Sequence, residues 1–457
     1  MASRGNWGSK AGFILAAAGS AVGLGNIWRF PYTVGKNGGA LFVLIYLIAI
    51  VAVALPVLIA EVTLGRHTGK NPVGAYLALS PERKQASDVK YPYLAGLKNL
   101  LFQWKYVGYL GVFTGFMILS YYSVIAGWTV GYFVKSITGN LSRITSENTE
   151  SVYKAFTSDT VLQIALLGFF IFLTAYVVSR GVSSGIEKFA KILMPMLFGL
   201  LVLLLIRSLT LSNAAAGLKF YLQPKFSDLS AKVVIEALGQ AFFSMSLGMG
   251  TMITYGSYVN KRENIPTSAA WIAFFDTFIA FLAGLIIFPA IFHAGMNPSG
   301  GPGLVFKTLP IIFAKMPGGV IFGSLFFALL GIAALTSTIS VLEVPVSFTI
   351  DELKINRRKA AWIVAFISFL VGIPSALSEK FLDMMNFIWG NLSLSIGALF
   401  VAVFVAYVWK TSKAMMEISK GTEKFRFALF WLISIKYITP VSIIIILIGI
   451  IVLGITF

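Results

Sequence analysis

The sequence predicts an all-α polytopic membrane protein. Three observations lead there. Hydrophobic residues make up 57% of the 457 positions and charged residues only 12%. Mean hydropathy is +0.84. Several predominantly apolar stretches, at 41–64, 161–178, 191–206, 320–341 and 433–457, approach or exceed the about 20 residues that a helix needs to cross the hydrocarbon layer. A soluble domain of this length carries about 25% charged residues. A β-barrel would show short alternating segments, and these stretches are long and do not alternate.

Run length and breaker residues divide the chain into about eleven spans, near 10–36, 40–65, 104–134, 160–179, 187–209, 233–258, 266–293, 320–350, 358–374, 382–408 and 428–455. Residues 297–303, Asn-Pro-Ser-Gly-Gly-Pro-Gly, form a turn cluster, and at most a short loop helix follows it. With no linker in view, residues 1–457 form a single membrane domain.

The net charge of +18 invites a nucleic-acid reading, but its distribution argues against one. Basic residues crowd into short connections at 66–105, 180–191, 261–262, 354–359 and 410–426. Cytoplasmic loops carry that excess. Residues 139–159 and 374–383 have mixed charge and suit the outer side. The N-terminus is then cytoplasmic and the C-terminus, after an odd number of spans, outside. No nucleic-acid partner is expected; the bilayer is. Cysteine is absent, so no disulfide or thiol chemistry is available. His67 and His293 lie far apart, with no metal-ligand cluster around them. No Ser/His/Asp or metal constellation points to an enzyme.

Two spans are unusual. The first contains Gly19-Ser20-Ala21-Val22-Gly23-Leu24-Gly25-Asn26, and the sixth contains Ser244-Met245-Ser246-Leu247-Gly248-Met249-Gly250. Glycine costs up to about 1 kcal/mol in a helix interior. Taken singly, either run fits close helix packing through small residues or a helix broken where it faces protein or a wet cavity. Their positions favour the break. They are the first members of two five-segment halves, about 10–209 and 233–408, with a last span at about 428–455. Paired broken helices in matching halves point to a binding site near the bilayer midplane. There, unpaired N–H groups suit a carboxylate and freed carbonyls suit a cation.

The run Gly19-Ser-Ala-Val-Gly-Leu-Gly-Asn-Ile-Trp-Arg-Phe-Pro31, followed by Asn37-Gly-Gly39, resembles the neurotransmitter:sodium symporter family, in particular its bacterial amino-acid branch. Supporting matches are Glu61 with Gly65-Arg66, Ser120-Tyr-Tyr122, Gly239-Gln-Ala-Phe-Phe-Ser244, Ala333-Ala-Leu-Thr-Ser337 and Tyr437-Ile-Thr-Pro440. The resemblance implies an inverted five-plus-five helix repeat with broken first and sixth helices. It also implies sodium-coupled import of a small zwitterionic solute, a hydrophobic amino acid first of all, by alternating access. Another zwitterion such as a betaine or imino acid, or a non-transporting sensor on the same fold, are the alternatives. The family fold has twelve spans, and eleven are expected here.

Two sodium ions are expected. By resemblance, one site takes the Ala21 carbonyl, Asn26, Ser244 and Asp276. The second takes the carbonyls of Gly19, Val22 and Ala333 with the hydroxyls of Thr336 and Ser337. Hard cations favour such oxygen sets. Without the motif, the hydroxyls of 336–338 would read as bonding back to their own helix. Asp276 stands out unaided, because a carboxylate inside an apolar run costs on the order of 3 kcal/mol and is a functional candidate by default, the alternative being a snorkelling or span-end residue. Glu61 is expected to hold the loose backbone of the sixth span, and Glu343 to support the same polar interior.

The substrate carboxylate would meet Tyr122 and N–H groups near Ala21 and Gly25, unless Tyr122 is a packing aromatic. The ammonium would meet carbonyls of Ala21, Phe243 and Ser246. Ser244 adjoins both ion and substrate. The side-chain pocket would be Ile118, Phe243, Ser246, Met249, Ser337 and Val341. Monoamine carriers place an aspartate where Gly23 stands, so this substrate brings its own carboxylate. Outer-gate residues are Arg29 and the aromatic lid Phe243; the usual acidic partner falls at Asn386, with Asp383 one turn earlier as a substitute. Inner-gate residues are Arg4, Trp7, Ser257, Tyr258 and Asp351, of which Arg4 and Asp351 also read as ordinary loop charges. No chloride is expected. Chloride-dependent relatives carry a serine one turn after Asp276, where Ala280 stands here.

Overall fold

A computed structural model describes residues 5–80, 103–298, 304–422 and 425–454. Nine helices among them are long and apolar enough to cross a membrane: Ala40–Thr68, Lys105–Ile137, Thr160–Ser179, Val182–Leu209, Ile265–His293, Gly319–Leu353, Arg357–Leu377, Glu379–Val408 and Ala428–Val452. A further pair, Lys10–Ala21 and Gly25–Lys36, qualifies together and bends by 50° at its break. The described residues contain no β-strand.

Local chemistry sets many helix starts. Ser9, Asp159, Ser230, Asn264 and Asn356 each accept a hydrogen bond from a backbone N–H three residues on. Such caps satisfy donors that the first turn leaves free. Gly69, at φ 62°, ends the Ala40–Thr68 helix in a left-handed turn that glycine enters at no steric cost.

Apolar residues such as Ile48, Ile206, Phe366 and Ile451 are exposed on the outer helix faces, as expected where lipid replaces water. Gly319–Leu353 lies at the centre and is the most enclosed of the long helices. It packs along Lys105–Ile137 and touches both Lys10–Ala21 and Thr251–Gly256. This arrangement delivers Thr336, Ser337 and Val341 to both breaks at once.

Both breaks form where the glycines lie. The first helix stops at Ala21, Val22 is extended, and the chain resumes as a π-helix at Gly25. The segment Ala231–Ser244 stops six residues before Thr251–Gly256 begins. Within that gap Ser246, Gly248 and Gly250 have φ of 53°, 85° and 78°. Gly248 cannot be replaced cheaply: a Cβ there would lie 2.2 Å from the Leu394 carbonyl oxygen. The Glu61 carboxylate accepts the Gly248 N–H at 2.7 Å, the clasp expected of it.

Several helices in connecting segments escaped the hydropathy reading: Pro72–Leu79, Thr149–Thr157, Ala214–Leu222 and Thr411–Ser419. Each is eight or nine residues long, too short to register as a span. The short helix expected after the turn cluster is Thr308–Lys315. Arg4 lies outside the described residues.

Candidate functional site

Asp276 is fully buried on the Ile265–His293 helix. Asn26 Nδ2 donates to its Oδ1 at 2.7 Å and to its main-chain oxygen at 3.0 Å. The Ser244 hydroxyl lies 3.0 and 2.9 Å from its two carboxylate oxygens. Asn26 Oδ1 in turn accepts the Gly23 N–H at 3.1 Å. Both broken segments therefore meet one buried acid. Among the described residues, Asp276 has no lysine, arginine or histidine within ion-pair distance. A buried carboxylate without a counter-charge is costly. A cation among these oxygens would supply that charge.

A second oxygen cluster lies across the same break. Ser337 Oγ reaches the carbonyl oxygens of Val22 at 3.1 Å and Ser20 at 3.2 Å. Thr336 Oγ1 reaches Val22 O at 3.4 Å and also bonds back to Ala333 O at 2.9 Å. A Cβ on Gly19 would lie 3.3 Å from Thr336 Cβ. Thr338 instead turns back to Leu335 O at 3.1 Å and meets Thr174. Intrahelical bonding thus describes Thr338 and half of Thr336, but not Ser337.

Between the clusters is a cavity of about 40 Å³. Ala21, Gly25, Ile118, Tyr122, Phe243, Ser246, Met249, Ser337 and Val341 line it, and Ser244 points instead to Asp276. Ser20, Leu119, Thr338 and Leu394 also line it and were missed by the sequence reading. The Tyr122 hydroxyl accepts the Leu24 N–H at 3.0 Å, so it faces the break as a site residue does. A Cβ on Gly23 would fall 2.5 Å from Ser337 Oγ and 2.8 Å from the Tyr122 hydroxyl. The cavity is well below the roughly 300–1,000 Å³ of small-molecule pockets.

Phe243, Tyr122 and Gly25 separate the cavity from a vestibule of about 360 Å³. The Arg29 guanidinium stacks over the Phe243 ring, 3.8 Å from its centre, a favourable cation–π placement. Its Nη2 donates to Asn391 Oδ1 at 3.1 Å. Asp383 and Asn386 line the vestibule, but the Arg29 hydrogen bond goes to neither of them. Asn391, unnoticed in the sequence, takes that place.

On the opposite side Trp7 packs against the Thr251–Gly256 segment. Its indole N–H donates to Tyr255 O at 3.0 Å and its backbone N–H to Tyr258 O at 3.3 Å. The Tyr258 hydroxyl donates to Glu343 at 2.6 Å, and Arg357 forks onto Glu343 at 2.7 and 2.8 Å. Asp351 accepts from the Asn71 side-chain amide at 2.9 Å, and Ser257 from its hydroxyl donates to Thr254 O at 2.6 Å.

Two discontinuous helices around a cavity flanked by hard-oxygen clusters point to the class: a sodium-coupled transporter of the membrane. A family model described as the sodium:neurotransmitter symporter family matches residues 4–89 and 148–455, and the chain belongs to that family. It is 38% identical over 460 residues to an uncharacterized sodium-dependent transporter of Bacillus subtilis, YhdH, covering 97% of each chain. A second uncharacterized sodium-dependent transporter, of Haemophilus influenzae, is 34% identical over 98% of each chain. The crystal structure of MhsT in complex with L-phenylalanine superposes with a TM-score of 0.86 at 42% identity, over 98% of this chain and all of that one.

Proposed function

We propose that this transporter imports a hydrophobic amino acid together with two sodium ions and without chloride. The observation that carries the reading is Asp276, a buried carboxylate that both broken segments address and that no cationic side chain among the described residues neutralises. One sodium would sit among Asp276, Asn26, Ser244 and the Ala21 carbonyl. The other would sit among Gly19, Val22, Ala333, Thr336 and Ser337. The substrate carboxylate would meet Tyr122 and the free N–H groups of the first break, while its side chain enters the Ile118, Met249 and Val341 wall. That wall offers no partner for a charge, and MhsT, the 42% identical relative, was solved with phenylalanine.

The wider architecture in this reading is one domain of eleven spans: inverted repeats at about 10–209 and 233–408, and a last span at about 428–455. The N-terminus is cytoplasmic and the C-terminus outside. Arg29 and Phe243, with Asp383 and Asn386 nearby, would close the vestibule side. Trp7, Ser257, Tyr258 and Asp351, with Arg4, would close the other. Alternating access then consists of opening one closure while the other holds.

The test is uptake and counterflow of L-phenylalanine in proteoliposomes. An inward sodium gradient should drive accumulation, and potassium in its place should not. Binding without counterflow would make the protein a receptor instead.

A further inference from the structure

A groove of about 650 Å³ runs down the outside of the bundle, between Ala40–Thr68, Ile265–His293 and Ala428–Val452. It is separate from the transport cavity. Its wall is apolar: Val51, Ile59, Trp271, Phe274 and Phe430 all line it. Its floor is tied together by Trp431, whose indole N–H donates to Pro56 O at 3.0 Å.

The groove has two chemically distinct ends. Asn264 caps the start of Ile265–His293, and Thr267 and Arg426 lie at the same mouth, just before Ala428 begins the last helix. Phe274 lies nine residues beyond Ile265, roughly 13 Å deeper at 1.5 Å per residue. The polar mouth therefore sits where these helices end, and the apolar wall extends into the hydrocarbon layer. Arg426 is exposed and has no ion-pair partner among the described residues. Lys261 and Arg262 are exposed on the loop before Asn264. That loop is held against Gly421, where a Cβ would strike the Glu263 carbonyl oxygen at 1.9 Å. Glu417, the nearby buried acid, is already paired with Arg66 and Lys420. Even counting Glu263, the described residues at the mouth, Lys261, Arg262 and Arg426, leave it basic.

We propose that this groove is a binding site for one anionic phospholipid, with an acyl chain along Trp271, Phe274 and Phe430 and the phosphate on Arg426. An apolar groove open to the bilayer is filled by lipid, and a basic mouth between helices selects the head group by charge. A bound lipid would brace the Ile265–His293 helix, which carries Asp276 little more than a turn beyond Trp271.

Native mass spectrometry of the purified full chain tests this, with phosphatidylglycerol and phosphatidylcholine added at equal concentration. Wild type should retain phosphatidylglycerol about fivefold more, the preference that one basic side chain confers at a membrane surface. Arg426→Gln should abolish that preference, Arg426→Lys should keep most of it, and Arg358→Gln, at an exposed arginine in the first turn of the Arg357–Leu377 helix, should leave it unchanged. Ala270→Trp, which fills the exposed groove, should reduce retention of both lipids. Size-exclusion elution like wild type establishes that each variant is folded. Equal retention of both lipids by wild type, retention unchanged in Ala270→Trp, or a preference for a sterol over phosphatidylglycerol would overturn the proposal.

Discussion

Asn26 and Asp276, 250 residues apart, are joined by two hydrogen bonds from one amide, at 2.7 Å to the carboxylate and 3.0 Å to the main-chain oxygen. The amide nitrogen thus spends its donors on the acid and leaves its oxygen to the Gly23 N–H. The first break cannot shift without disturbing the carboxylate, which links helix geometry to ion binding.

Asp276→Asn removes the charge and keeps the shape. Sodium affinity, read by isothermal titration or by sodium-dependent substrate binding, should fall at least tenfold. Wild-type uptake with gluconate replacing all chloride should keep its rate. Adding Ala280→Ser to Asp276→Asn should make uptake chloride-sensitive, because a mobile anion then stands in for the fixed one. A collapse of wild-type uptake in gluconate would remove Asp276 from the charge-compensating role.

Tyr122→Phe removes one hydroxyl from the cavity wall. A hydrogen bond to a charged group is worth roughly 1.5–3 kcal/mol, so the substrate Kd should rise about ten- to a hundredfold. The melting temperature should change little. An unchanged Kd would show that the carboxylate binds elsewhere.

Gly23→Ala should abolish substrate binding in a folded protein, since the new methyl would lie 2.5 Å from Ser337 Oγ. Equilibrium binding of L-phenylalanine measures the effect. Affinity within a factor of two of wild type would mean that the cavity is wrongly assigned.

Among competing amino acids, large aliphatic and aromatic ones should displace bound substrate, and lysine and glutamate should not. Ile118, Met249 and Val341 give a side-chain charge no partner, and burying one alone is costly. Met249 is flexible enough to accept several shapes. Preference for a charged amino acid in a competition assay would contradict the pocket.

Glu343→Ala leaves Arg357 without its two-pronged partner. Breaking a buried pair on one side costs roughly 3–5 kcal/mol, so the melting temperature should drop by several degrees. Replacing both residues with methionine should recover most of that loss. Equal loss in the single and double variants would mean that packing, not charge, dominates there.

Much of this was legible along the chain. The apolar runs marked the helices because lipid leaves backbone groups no partner outside a helix. The two glycine-rich runs marked the breaks, and Asp276 declared itself by standing alone among apolar neighbours. The short helices at Pro72–Leu79 and Thr411–Ser419 were not legible. They are held by side chains from distant segments: Asn71 to Asp351, and Glu417 to Arg66 at 3.0 Å.

The sequence by itself determined the class of fold, the position of both breaks and the residue types that face them, because hydropathy and glycine content act locally. Only the tertiary structure decided which groups meet. It put Asn391 rather than a carboxylate on Arg29, set Arg357 on Glu343, turned Ser337 across to Val22 while Thr338 turned home, and closed the cavity to about 40 Å³. Those outcomes depend on helix rotation and approach, which emerge from packing many side chains together, and no spacing along the chain encodes them singly.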